Sequence, residues 1–156
     1  MRKLFGMMVV FFAMALGGCA ALPSQTGNPL VESAKAFGAP PEGKAHLYVY
    51  RDSWVSRLHG FDLSLDGKPL GVSQNKTFFL VTLDVGKHYK LETESEFGSN
   101  ILDVAAESGK TYYVEHYPRI GVLLGQADFN LLSEPNDIAK AQASIKNGYM
   151  QLPNAG

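Results

Sequence analysis

The chain predicts a mainly β protein: an antiparallel β-sandwich of about seven short strands with a C-terminal α-helix, after a signal peptide and linker. Three observations carry this reading. From Lys44 onward, short apolar runs, several alternating with polar residues, follow one another closely. Turn signals divide them at Asp66-Gly67, Val85-Gly86-Lys87, Gly98-Ser99-Asn100 and Ser108-Gly109. Past Leu132 the period becomes helical, with Ile138, Ala141 and Ile145 on one face.

Taken in order, the chain opens with Arg2 and Lys3, then 13 residues from Leu4 to Leu16 without a charge. Gly17, Gly18 and the only cysteine, Cys19, follow. A basic start, a short apolar core and small residues at a cleavage point read as a secretory signal over residues 1–18. The run is too short for a membrane-spanning helix, which needs about 20 residues.

Leu16-Gly17-Gly18-Cys19 resembles the lipobox of bacterial lipoproteins. Leu16 matches the usual leucine, Gly17 and Gly18 the small residues, and Cys19 the thiol that receives lipid. The resemblance implies cleavage before Cys19, acylation of that residue, and a membrane partner reached through the N-terminal lipid. One acyl chain binds a bilayer only marginally, and the several chains of a bacterial lipoprotein hold it stably. Ala20, where an aspartate would suggest inner-membrane retention, implies an address in the cell envelope at the outer membrane, facing the periplasm.

Residues 19–39 read as the acylated cysteine and a flexible linker, with Pro23, Gly27, Pro29 and Gly38 interrupting it. Leu30, Val31, Ala34 and Phe37 recur at helical spacing and predict a two-turn helix that needs the domain to stabilise it. Residues 40–132 hold the sandwich. Leu47 and Val49 alternate with Tyr48 and Tyr50, and Phe61 to Leu65 alternates before the Asp66-Gly67 hairpin turn. Lys68 to Val72 is the return, and Pro69 marks it as an edge. Thr77 to Leu83 is nearly all apolar, as in a strand buried on both faces. His88 to Phe97, Ile101 to Glu107, Lys110 to Tyr117 and Ala127 to Leu132 complete the set, joined by default as sequential hairpins. Residues 133–156 form the final helix and tail, with Glu134 and Asp137 early, Lys140 and Lys146 late, and Asn147-Gly148 as the stop.

The 14 basic and 15 acidic residues give a net charge of −1. Loss of residues 1–18 removes Arg2 and Lys3, leaving 138 residues at −3, enough for one core. No basic run supports nucleic-acid binding. With Cys19 acylated, no thiol is left for a disulfide, a metal or a nucleophile.

Pro40-Pro41-Glu42-Gly43-Lys44-Ala45-His46-Leu47-Tyr48-Val49-Tyr50-Arg51 resembles the opening of the bacterial DUF2846 domain. Asp66-Gly67-Lys68, Val85-Gly86-Lys87-His88 and Ser108-Gly109-Lys110-Thr111-Tyr112-Tyr113-Val114 follow in that family's order, over about residues 40 to 132. The resemblance implies an envelope lipoprotein with a sandwich related to PEGA-like and carboxypeptidase-regulatory-like domains. It supplies no catalytic residues.

Candidates for chemistry are sparse. His46, His59, His88 and His116 lack local metal-ligand spacing, so surface or satisfied core positions are expected and neither a metal nor a cofactor is implied. No Gly-x-Ser-x-Gly elbow is present, and Asp62, Asp66, Asp84 and Asp103 sit where turn capping is ordinary, so no enzyme is expected. The most site-like stretch is Arg51 to Gly60, which gathers the only tryptophan with two arginines. Arg51, Trp54 and Arg57 are its candidate contact residues toward an envelope protein or surface. Three further readings stay open. Trp54 and exposed tyrosines suit a glycan or small ligand, and Trp54 also suits the lipid interface. Alternatively, Trp54 and Leu58 fold back over the end of the sandwich with Arg51 paired to an acid, which large apolar loop residues usually do. Gly121 to Gly125 is expected as a buried strand, or as an apolar patch if exposed. Of adjacent Tyr112 and Tyr113, one is expected half in solvent.

Overall fold

The computed structural model describes residue 25 and residues 27–95, 97–120 and 125–152. Leu16, Gly17, Gly18 and Cys19 lie outside them, as do residues 121–124. Among the described residues, nine strands and two helices follow in the order α1 (Pro29–Lys35), β1 (Lys44–Arg51), β2 (Phe61–Leu65), β3 (Lys68–Ser73), β4 (Thr77–Asp84), β5 (His88–Ser95), β6 (Gly98–Ala105), β7 (Thr111–Ile120), β8 (Gly125–Leu131), α2 (Pro135–Lys146) and β9 (Tyr149–Met150).

The strands form two facing sheets, β8-β7-β1-β4-β9 and β3-β2-β5-β6. The sandwich and its C-terminal helix are as expected, with two differences of pairing. β1 lies parallel to β7, and β9 parallel to β4, so the larger sheet is mixed. Moreover β1 does not form a hairpin with β2. It pairs along its length with β4, and the chain then crosses to the other sheet. The cause is in its composition. Ala45, Leu47 and Val49 bury one face of β1 while Tyr48 and Tyr50 bury the other, and a strand buried on both sides belongs at a sheet centre.

Two cores result. Between the sheets, Leu47, Val49, Leu63, Phe79, Leu83, Leu91 and Val114 interdigitate. On the outer face of the larger sheet, Tyr48, Phe78 and Tyr113 meet Val31 and Ala34 of α1 and Ala141 and Ile145 of α2. The Tyr48 hydroxyl donates to the Ala34 carbonyl at 2.7 Å, and the Tyr48 and Tyr113 rings stack at 5.2 Å. The predicted short helix therefore docks, and the second half of the expected linker is part of the folded body. Phe78 and Phe79 point to opposite cores, which makes β4 the doubly buried strand its sequence predicts. Tyr112 and Tyr113 likewise face opposite ways: Tyr113 is buried and Tyr112 only partly so.

The register places four strand-to-strand connections at one end of the sandwich, β1–β2, β3–β4, β5–β6 and β7–β8, with the α2–β9 turn beside them. The other end holds the turns around Asp66-Gly67, Gly86-Lys87 and Ser108-Gly109. The first set makes up the loop end.

Candidate functional site

Arg51 closes β1 on the inward face that Leu47 and Val49 define, and period-2 alternation carries its side chain into the interior. It is 1% exposed. The guanidinium donates to the carbonyls of His59 at 2.8 Å, Ser73 at 3.0 Å and Ser56 at 2.6 Å, and lies 5.0 Å from the Phe61 ring centre. Carbonyl dipoles, not an acid, offset the charge. Burial lowers its pKa from the ordinary arginine value. Arg51 is therefore a positioning residue for the loop and not a contact residue, which corrects the expectation on both counts.

The Trp54 loop is fastened over this cation. Ser56 adopts a left-handed φ of 49°, and the His59 N–H bonds the Ser56 carbonyl at 2.9 Å. The Ser53 N–H bonds Asn75 Oδ1 at 3.1 Å, and Asp52 pairs with Lys76. Burial raises the Asp52 pKa, but hydrogen bonds from Lys76 and Ser144 and the Lys76 charge outweigh it and hold the carboxyl below its usual range. So fixed, the loop turns its large side chains outward. Trp54 is 83% exposed and Leu58 95%, so neither folds back as a cap. Arg57 is exposed beside them.

Two more large apolar side chains stand exposed at the loop end. Phe97 between β5 and β6 is 86% exposed and Ile120 at the end of β7 is 89% exposed. These two were missed as site residues because each reads locally as an ordinary strand-end apolar residue. Only the register brings them to the same end as Trp54.

Beneath the loop lies a buried polar seam. His116 on β7 is 0% exposed, with Nδ1 2.8 Å from Ser73 Oγ and Nε2 3.0 Å from Thr93 Oγ1. Burial first, and the Arg51 charge second, push its pKa down to about 3, so the ring is neutral and serves one hydroxyl as donor and the other as acceptor. Ser73 is 2% exposed. This serine–histidine pair is a strut between the sheets, with Ser73 Oγ turned into the interior.

The remaining histidines are dispersed. His88 is exposed against Asp103 at 2.6 Å, His59 packs edge-on to Phe61 at 4.7 Å, and burial lowers the pKa of His46. Among the described residues no three His, Cys, Asp or Glu side chains converge as metal ligands. A cleft of about 330 Å³ between α2 and the larger sheet is lined by Tyr50, Asp52, Glu115, Asp137 and Lys140. Burial, then these three carboxylates, raises the Tyr50 pKa. A second cleft, of about 320 Å³, lies along α1 by His46, Leu80 and Met150. A shallow third of about 210 Å³ lies on the smaller sheet. Trp54 lines none of the three, and Tyr48, Tyr50 and Tyr113 are buried under the helices.

Fold and site thus define a helix-backed β-sandwich with a fixed, outward-facing loop end. Residues 41–126 match the family described as "Protein of unknown function (DUF2846)", and the chain belongs to that family. A protein of Haemophilus influenzae (strain ATCC 51907 / DSM 11121 / KW20 / Rd), described as "Uncharacterized protein", is 36% identical over 126 residues, covering 81% of this chain and 74% of that protein. No solved structure matches the chain significantly.

Proposed function

We propose that the protein is a noncatalytic lipoprotein of the bacterial cell envelope, tethered by lipid on Cys19 to the outer membrane and facing the periplasm, that serves as an interaction module. The loop end is its contact surface, with Trp54 and Arg57 as contact residues and Arg51 holding them in place. One observation carries the choice of surface: Trp54 is 83% exposed on a loop pinned from below. A tryptophan left in water forgoes about 2–3 kcal/mol of burial, and tryptophan dominates contact hot spots. The sequence Leu16-Gly17-Gly18-Cys19 supports the tether.

A photoreactive amino acid at position 54, irradiated in intact cells, tests the surface. Adducts to an envelope component, absent when the same group replaces Lys68 in the β2–β3 turn, are expected. Equal labelling from both positions removes the loop end as the contact. Separately, Cys19→Ser is expected to move the protein from the membrane to the soluble fraction, and retention in the membrane overturns the tether.

A further inference from the structure

The occupant of the loop end can be named. We propose that the tips bearing Trp54, Leu58, Phe97 and Ile120 rest in the headgroup layer of the bilayer that holds the Cys19 lipids; this rests on the lipoprotein reading above.

The two ends of the sandwich differ in what they expose. Three of the four loop-end connections place at least one large apolar side chain, 83–95% exposed, at or beside them, namely Trp54 and Leu58, Phe97 and Ile120. At the opposite end the turns carry exposed Asp66, Lys68, Lys87, Glu107 and Lys110, and no large exposed apolar residue among those described.

The N-terminal segment joins the fold near the same end. The Gln25 side-chain amide bonds both main-chain groups of Met150: its Oε1 accepts from the Met150 N–H at 2.6 Å and its Nε2 donates to the Met150 carbonyl. Met150 pairs with Phe78, the second residue of β4, so the chain meets the fold beside the loop end. Cys19 and Gln25 are six positions apart, with five residues between them. Fully extended, that stretch reaches about 20 Å. The eight-residue strands β1 and β4 are each about 27 Å long, so the tether is shorter than the sandwich. From the level of Phe78 the opposite end of β4 lies six residues, about 20 Å, away, so the tether would have to be fully extended to present that end, whereas the loop end lies beside it.

The chemistry of the exposed side chains suits the same surface. Tryptophan favours the lipid–water boundary, and an exposed arginine such as Arg57 reaches headgroup phosphates while its stem lies against apolar chains.

Trp54 is the chain's single tryptophan, so its fluorescence reports this site alone. The test uses the lipidated protein in vesicles of phosphatidylethanolamine and phosphatidylglycerol, with or without brominated acyl chains. The expected result is a blue-shifted Trp54 emission quenched about two-fold by the brominated lipid. A Leu58→Ser, Phe97→Ser, Ile120→Ser variant is expected to lose the quenching while still floating with the vesicles. Three outcomes overturn the proposal. Floating protein with acylated Cys19 and a solvent-like, unquenched Trp54 removes the seating and leaves the tether standing. Trp54 shielded by a copurifying protein assigns the surface to that protein. A chain that is not acylated and does not float removes both tether and seating.

Discussion

His116 on β7 and Ser73 on β3 join the two sheets through a 2.8 Å hydrogen bond between Nδ1 and Oγ, both residues buried. Folding keeps this histidine neutral to about pH 3, whereas an unfolded histidine takes up a proton near its ordinary 6.5. Between those values the unfolded state binds more protons, so stability rises with pH. The contribution is complete above pH 6.5 and is lost as pH falls toward 3, at up to about 1.4 kcal/mol per pH unit. His116→Phe removes that slope but strands the Ser73 and Thr93 hydroxyls, at about 2–3 kcal/mol at pH 7. Urea melts of both proteins from pH 7 to 4 check this, and parallel pH profiles would refute it.

Arg51 reaches three carbonyls from one planar group, which a lysine ammonium cannot reproduce. Arg51→Lys is expected to cost about 2–4 kcal/mol and to loosen the loop above it. Denaturant midpoints give the first effect. Trp54 fluorescence anisotropy gives the second, and is expected to fall.

Tyr48 fastens α1 by one hydrogen bond to Ala34. Tyr48→Phe keeps the ring stack with Tyr113 and removes only that bond, at about 1 kcal/mol. Amide exchange is expected to quicken in Pro29–Lys35 well before it changes in β1. Equal quickening of both would show that the helix and sheet open together.

Gly71 sits at the irregularity in β3 with φ of 140°, and a methyl group there would come within 3.2 Å of the Phe79 ring. Gly71→Ala is expected to destabilise by about 1–3 kcal/mol. Gly67→Ala, with φ of 72° and no atom within 4 Å of the added carbon, carries backbone strain alone and is expected to cost less, about 1 kcal/mol. Thermal melts rank the two.

The strands of this fold were legible because alternation and turn residues are local signals. Asp66-Gly67 makes its hairpin, and Ile138, Ala141 and Ile145 face the sheet as their spacing says. Alternation names the face of a strand, not its neighbour, so the parallel meeting of β1 and β7 could not be read from it. β9 is two residues long and has no period at all. For Arg51 and His116 a signal existed. Arg51 continues the series Leu47, Val49, and His116 the series Tyr112, Val114, so both belong inside. The charge on one argued for a surface role, the imidazole on the other fitted surface and core alike, and their carbonyl and hydroxyl partners come from distant segments. Trp54 reversed the usual fate of a large apolar loop residue because Arg51, Asn75 and Lys76 hold its backbone from below.

The centre of the larger sheet pairs His46 with Thr111, so its two middle strands come from distant thirds of the chain. A fragment ending before Thr111 leaves one side of β1 with no strand to pair, a template for sticking to other copies. Closure of this seam waits for late synthesis, and contacts this far apart in sequence make for slow folding. Prematurely terminated products of this gene should therefore aggregate instead of folding to a smaller stable unit.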